Sequence, residues 1–325
     1  MSKREHSIDV LRIISAFAVV VIHAVSAPVS NYSGALSETV SANLNTIHAL
    51  MKWSVPVFFM ITGYCLSKKD ACTYDYCFSH VKKYLAVLFT VGLFYAMLEV
   101  VYTTKAISVN GLLCSIKNVI SGSLWDHMWF VYSIIGVYLV MPVIHAFTKQ
   151  SVKNAAIITT LLFFFTILCP FCKEWIPVGV DFPFGGYLFY VCFGMLAEKC
   201  RPHKKWRYVF FAVCALCILY IVLCPSKKEL HYLHPVISVF SMAVFLLVSR
   251  LEIRGSKGIE VTSACTWGIY LIHPFFINVI IKAFKIDLLS QCPYGKISLF
   301  AILIFGLSFA VTYLLKRMPL IKYLF

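Results

Sequence analysis

Residues 8–27 read IDVLRIISAFAVVVIHAVSA, and this stretch decides the fold. A helix needs about 20 apolar residues to cross the hydrocarbon core of a bilayer, and the stretch supplies them. Similar stretches recur along the chain, so the sequence predicts an all-α, polytopic membrane bundle of about ten helices. The predicted spans are residues 8–27, 47–66, 84–102, 125–147, 155–170, 183–197, 208–224, 233–248, 262–281 and 297–315.

The composition supports this fold class and excludes several others. Of 325 residues, 60% are hydrophobic and only 13% are charged, whereas soluble domains carry roughly 25% charged residues. A water-soluble enzyme, a disordered chain and a disulfide-stapled secreted module are therefore excluded. Ten spans with short loops leave no room for a separate soluble domain, so residues 1–325 are predicted to form one membrane domain that contains any chemistry.

The basic residues predict the orientation of the chain. With an even number of spans, the segments on the side of the N-terminus hold 19 Lys and Arg residues, against eight on the other side. Cytoplasmic loops accumulate such residues, so both termini are predicted to be cytoplasmic. The same rule accounts for the net charge of +15 without a nucleic-acid partner.

The first span carries three ionisable residues, Asp9, Arg12 and His23. Arg12 and His23 are eleven residues apart, which places them within about 20° on one helix face and about 16 Å apart along the axis. One interpretation is that Arg12 extends to the headgroups, Asp9 pairs with it, and His23 bonds within the bundle. Because charges inside a span are costly and usually mark function, the shared face favours a narrow polar tunnel instead.

Other polar residues in the spans are weaker candidates. Glu99 lies in the third span, and His127 and Trp129 open the fourth. His273 precedes Pro274, which we expect to interrupt the ninth span. The histidine spacing predicts no metal site, and no soluble-enzyme motif is present.

Four segments of this sequence resemble, in order, the acyltransferase-3 family of integral membrane acyltransferases. That family is marked by an Arg-x10-His motif in its first helix, which Arg12 and His23 match. One segment departs from the pattern, because many members have Arg-x-x-Arg where residues 80–84 read HVKKY, and lysines lack the guanidinium fork. The four segments are SIDVLR (residues 7–12) followed by His23, VPVFFMITGY (55–64), HMWF (127–130) with Tyr138 and Met141-Pro142, and GIYLIHP (268–274).

The resemblance implies an O-acetyltransferase of the bacterial inner membrane. Its co-substrate would be cytoplasmic acetyl-CoA or another acyl-CoA, with no permanently bound cofactor. The acceptor would be a hydroxyl of a surface sugar, a glycolipid or a peptidoglycan precursor, because the short form is similar to members that modify lipid-linked surface polysaccharides. The lipid bilayer is a further partner, and a homo-oligomer is left open.

The resemblance also suggests roles for the candidate residues. His23 would act as the base or carry the acyl group, together with Arg12. The donor would be bound by Arg12, Lys82, Lys83 and Tyr64. Further cations of the inner loops would contact its phosphates, namely Lys204, Lys205 and Arg207. Acceptor binding falls to His127, Trp129, Glu99 and His273.

A transporter or flippase for a small or amphipathic solute is the alternative. It includes the serine-handling membrane half of a racemase-like system. A polar tunnel with a broken ninth helix would serve transport equally well. The sequence shows no internal repeat, which speaks against this alternative.

Overall fold

The computed structural model describes residues 4–31, 36–172, 186–200, 203, 205–319, 321, 323 and 324, and within these residues it contains helices and no β-strand. Three π-helical turns, Leu88–Gly92, Phe164–Leu168 and Val279–Ala283, continue α-helices that precede them. The α-helices are α1 (His6–Asn31), α2 (Glu38–Met51), α3 (Ser54–Ser67), α4 (Tyr74–Val87), α5 (Leu93–Thr104), α6 (Val109–Ser121), α7 (Trp129–Gln150), α8 (Val152–Phe163), α9 (Cys169–Phe171), α10 (Leu188–Lys199), α11 (Trp206–Leu223), α12 (Pro235–Ser249), α13 (Lys257–Asn278) and α14 (Pro293–Leu315).

The prediction of a polytopic helical bundle is confirmed. Among the described residues, eight helices are long and apolar enough to cross a membrane. The two other predicted spans contain the shorter helices α10 and α12, and residues 183–185 of the sixth predicted span lie outside the described residues, as does Lys204. The eight are His6–Ser30, Glu38–Ser67, Tyr74–Thr104, Trp129–Gln150, Val152–Phe171, Trp206–Leu223, Lys257–Ala283 and Pro293–Leu315.

The second predicted span lies within the membrane-length helix Glu38–Ser67 and contains a break at residues 52–53. α2 ends at Met51 and α3 begins at Ser54. Pro56 explains the break, because a proline ring clashes with the carbonyl four residues earlier, here that of Lys52. The segment between the third and fourth predicted spans also contains a helix, α6. Ser108 caps α6 by accepting a hydrogen bond from the backbone N–H of Gly111 at 3.0 Å.

Helix α3 lies at the centre of the bundle and packs closely against α10. A Cβ added at Gly63 would lie 1.9 Å from the backbone oxygen of Val191, and one added at Gly194 would lie 2.0 Å from that of Met60. The absence of a side chain at each glycine therefore allows the backbone of the other helix to pack directly against it. This reciprocal contact fixes the position of α3, which supplies one wall of the candidate site.

Helix α13 runs through Pro274 without the interruption that we expected. Proline removes one backbone hydrogen bond, and side chains bond to carbonyls of the same helix segment. The Tyr95 hydroxyl donates to the Leu271 oxygen at 2.6 Å. His273 bonds through Nδ1 to the Ile269 oxygen at 3.0 Å. The expectation of a broken ninth helix was wrong, because a membrane helix tolerates a proline where it is packed against neighbouring protein, and the residues around Pro274 are buried.

Candidate functional site

One end of the site forms around Arg12 on α1. The buried Asp9 carboxylate accepts hydrogen bonds from Arg4 Nε and Ser263 Oγ, both at 2.7 Å. Arg12 lies farther from it, with 3.6 Å between Nη1 and Asp9 Oδ1. The Arg12 guanidinium instead donates through Nη2 to Cys65 Sγ at 3.3 Å. With a third of its side chain exposed, Arg12 remains accessible to a ligand.

Two cavities meet at Arg12, and Cys65 and Lys69 line both of them as well. The larger cavity, about 510 Å³, is lined mainly by charged and polar residues. The smaller cavity, about 240 Å³, extends into the bundle between aromatic side chains. The aromatic residues that line it are Phe58, Tyr76, Tyr84, Phe130, Tyr138, Trp267 and Tyr270.

Within the part of the chain that the structure describes, Lys69 is the cation at these cavities without an acidic partner. Lys68 pairs with Glu5 at 2.7 Å, and Arg4 pairs with Asp9. Lys69 makes no ion pair within the described part of the chain; its Nζ lies 4.4 Å from the ring centroid of Tyr76. The cavity entrance therefore has a positively charged group available for an anion.

The candidate donor-binding residues occupy different places. Tyr64 lines the larger cavity, and its hydroxyl donates to Glu5 Oε2 at 2.8 Å. Lys82 and Lys83, on α4, line neither cavity at Arg12. α4 contributes Tyr76 and Tyr84 to the cavity wall instead.

The other end of the site is a cluster of three histidines. The ring centroids of His23 and His273 are 5.1 Å apart, those of His23 and His127 are 6.4 Å apart, and those of His127 and His273 are 5.9 Å apart. The three residues come from α1, the segment before α7, and α13. A small cavity of about 20 Å³ lies against His23, His127 and Trp129. The fold thus assembles residues that are far apart in the sequence.

Two of these imidazoles carry a buried ring nitrogen with no bonding partner. His127 and His273 are 3% and 0% exposed. The Nε2 atom of each makes no hydrogen bond within the described residues. Because a buried polar atom without a partner costs about 1–3 kcal/mol, these atoms are expected to meet a polar group during function.

Aromatic side chains separate the two ends. Phe58, Phe130 and Tyr270 line both the 240 Å³ cavity and the small cavity at His23. The ring centroids of Phe58 and Phe130 are 6.4 Å apart, and those of Phe130 and Tyr270 are 5.4 Å apart. The passage along α1 is therefore a series of cavities closed by three rings, which we call the aromatic partition, rather than an open tunnel.

Glu99 approaches the histidine cluster only indirectly. Its Oε2 accepts a hydrogen bond from Trp125 Nε1 at 3.2 Å. The Trp125 ring stacks on Tyr95 at 4.4 Å, and Tyr95 contacts the His127 ring at 5.4 Å. Trp129 borders the small cavity directly.

Some site residues were missed by the sequence analysis. Lys69 was counted only as a basic residue of an inner loop, although it follows the helix that carries Tyr64. Asp126 lies within electrostatic range of His23, and its position next to His127 was the available signal. Tyr270, whose hydroxyl donates to the His127 backbone oxygen, gave no signal beyond its place in the GIYLIHP segment.

The fold and the site define a polytopic membrane protein with a cation-lined entrance and a buried histidine cluster inside its helix bundle. Comparison with known families makes the assignment narrower. The acyltransferase-3 family model, described as an acyltransferase domain, matches residues 5–317. The chain belongs to this family of membrane acyltransferases, as the resemblance of its four segments predicted.

A curated relative shares part of the sequence. An amino-acid racemase from Enterococcus faecalis is 31% identical over 145 residues, which make up 43% of this chain and 20% of that protein. The match therefore covers only about a fifth of the length of the relative. No solved structure matches the chain.

Proposed function

We propose that this protein transfers an acetyl group from cytoplasmic acetyl-CoA to a hydroxyl of a cell-surface sugar, glycolipid or peptidoglycan precursor. The observation that carries the proposal is the series of cavities along one face of α1, from Arg12 to the histidine cluster. Its ends are about 16 Å apart along the helix axis. The long, thin pantetheine arm of the donor suits such a passage.

The donor would enter at the Arg12 end. Its phosphates would remain near Arg12 and Lys69, which border both cavities there. Its arm would follow the 240 Å³ cavity between Tyr84 and Trp267. The thioester would then have to pass the aromatic partition to meet His23, so the rings of the partition must move during each turnover.

His23 would act as the general base. One of its ring nitrogens takes the proton of the acceptor hydroxyl as the hydroxyl oxygen attacks the thioester carbonyl. The carbon–sulfur bond breaks, the ester forms, and the proton passes from His23 to the departing sulfur to give free CoA. In the alternative route, the acetyl group moves first from CoA to His23 and then from His23 to the acceptor hydroxyl, with the same overall products.

The cavity at His23 supports a short acyl group. Its volume of about 20 Å³ is close to what one ordered water requires. Side chains of Val19, Val55 and Trp129 also border it. A long acyl chain would have to displace several of these side chains, whereas an acetyl group needs the least space.

Purified protein tests the proposal directly. We expect acetyl-CoA to release free thiol in the presence of an acceptor, and His23→Ala to lower the rate about 10²- to 10⁴-fold. His231→Ala, on the connection before α12, is the matched control. Mass spectrometry of surface glycans and lipid-linked precursors, with and without the gene, would identify the acetylated acceptor. Near-normal turnover by His23→Ala would remove His23 from the mechanism.

Handling of an amino acid such as serine is the second candidate function. It is favoured by the match to a protein named as an amino-acid racemase. Liposomes containing the purified protein would discriminate between the two functions. Uptake of labelled serine without any thiol release from acetyl-CoA would favour transport.

A further inference from the structure

The acyl-transfer proposal uses one imidazole of the cluster and leaves His273 without a role. His273 is fully buried on α13. Its Nδ1 lies 3.0 Å from the backbone oxygen of Ile269. Because a carbonyl oxygen can only accept, Nδ1 carries the proton, and Nε2 therefore presents a lone pair.

This lone pair has no donor among the described residues. Measured between ring centroids, His23 is 5.1 Å from His273, whereas His127 is 5.9 Å and Tyr270 is 6.1 Å away. The terminal torsion of a histidine side chain is broad, so the His23 ring can rotate about it at this distance. Catalytic hydrogen bonds often become short only when the substrate is bound.

We propose that His273 is the positioning residue of His23. Its Nε2 accepts a hydrogen bond from one ring N–H of His23, so that the second ring nitrogen of His23 keeps its lone pair for the acceptor hydroxyl. The Ile269 carbonyl, His273 and His23 then form one hydrogen-bonded chain in which each proton has a fixed position. This inference rests on the proposed role of His23 as base.

The proton balance follows from this chain. His23 takes the hydroxyl proton on its second nitrogen and passes it to the departing sulfur, while His273 keeps its Nδ1 proton throughout. The developing imidazolium of His23 is stabilised by the bond to the His273 lone pair. A neutral imidazole does this without a buried carboxylate, whose desolvation would be far more costly.

Two substitutions that differ by one methylene separate positioning from packing. In His273→Gln, the amide oxygen occupies the place of Nε2 and can still accept from His23. In His273→Asn, the amide occupies the place of Nδ1 and leaves the Nε2 place empty. We expect His273→Asn to lower kcat about 10²-fold with an unchanged KM for acetyl-CoA, and His273→Gln to keep kcat within about tenfold of the wild type.

A second readout does not depend on acyl transfer. Diethyl pyrocarbonate acylates imidazole nitrogens, and mass spectrometry locates the product on His23. We expect slower acylation of His23 in His273→Asn than in His273→Gln. If the wild type transfers no acyl group but the two variants still show this difference in His23 acylation, the proposed function fails while the positioning role stands.

Two outcomes would overturn the inference. One is equal kcat and equal His23 acylation in His273→Asn and His273→Gln. The other is loss of kcat and of His23 acylation in Asp126→Asn while both His273 variants behave as the wild type, because Asp126 is the charged neighbour that could orient His23 instead. Thermal unfolding midpoints measured for all variants show whether each remains folded.

Discussion

Among the described residues, Lys69 makes no ion pair at the Arg12 end of the bundle, whereas Arg4 and Lys68 each pair with an acidic side chain. If donor phosphates bind there, Lys69→Gln removes one charge-assisted contact, which contributes about 1.5–3 kcal/mol. We expect KM for acetyl-CoA to rise about tenfold or more, because about 1.4 kcal/mol corresponds to a factor of ten. Steady-state thiol release measures this change.

The control for Lys69 is Lys82→Gln, which removes the same charge from a residue that lines neither cavity at Arg12. Its KM should stay within about twofold of the wild type, since isolated surface charges contribute little. Acetyl-pantetheine, which lacks the nucleotide, should show no difference between Lys69→Gln and the wild type. Equal effects of the two substitutions would exclude Lys69 as the phosphate ligand.

Arg12 is a second test at the scale of one residue. Arg12→Lys keeps the positive charge but replaces a planar fork with a point charge. The contact of Nη2 with Cys65 would also be lost. We therefore expect weaker binding of acetyl-CoA, measured as a higher KM, with normal expression. An unchanged KM would show that only the charge of Arg12 matters.

The sequence could predict Arg12 and His23 because both lie on one helix, where spacing alone determines the shared face. It could not assign Lys69 a function, because positive charge in an inner loop has a topological explanation of its own. The exposure of Lys69 to both cavities depends on where α3 ends relative to α1 and α4, and this is a property of the tertiary structure.

At the scale of the helix, the contact between α3 and α10 is the most sensitive element of the fold. Gly63→Ala would place a methyl group 1.9 Å from the Val191 oxygen, so the two backbones must separate. Overpacking of this kind costs about 1–3 kcal/mol, and here a backbone has to yield. We expect a lower thermal unfolding midpoint and lower acyl-transfer activity, because α3 carries Phe58 and Cys65 of the cavity wall.

Gly306→Ala is the matched control, since Gly306 lies within α14 and a Cβ there meets no atom within 4 Å. Its midpoint should be unchanged or slightly higher, because alanine favours the helix by about 1 kcal/mol over glycine. A loss of stability in Gly306→Ala equal to that in Gly63→Ala would show that the effect is not specific to the helix contact.

Some helix boundaries could be predicted from the sequence, whereas the contacts between helices could not. The division between α2 and α3 follows from Pro56, although hydropathy alone joined them into one span. The helix α6 could have been found from the cap at Ser108 and the terminating Gly122, whose φ is +76°. The close approach at Gly63 could not, because it requires knowledge of which helix packs there.

For the whole molecule, the orientation in the membrane is the prediction that most needs a measurement. Cytoplasmic termini place Cys200 inside and Cys114 and Cys292 outside, and all three side chains are exposed. We expect a membrane-impermeant maleimide to label Cys114 and Cys292 on intact cells, and Cys200 only after permeabilisation. Labelling of Cys200 on intact cells, together with protection of Cys114 and Cys292, would show that the termini lie outside the cell.

The histidine cluster shows why a complete site could not be predicted. His127 and His273 were candidates because they are polar residues in apolar segments, but 146 positions separate them in the chain. Only the packing of α13 beside α1 and the start of α7 brings their rings to 5.9 Å. Their Nε2 atoms, which have no hydrogen-bond partner among the described residues, could be recognised only from the tertiary structure.

The aromatic partition of Phe58, Phe130 and Tyr270 has a consequence for the cell that contains this protein. A membrane bundle with polar cavities at both ends of one helix face risks leaking protons down the electrochemical gradient. Three tightly packed rings interrupt any continuous file of water between the two ends. Truncation of Phe130 to alanine would open this barrier, and we expect a proton leak across the membrane that a pH-sensitive dye in proteoliposomes would measure.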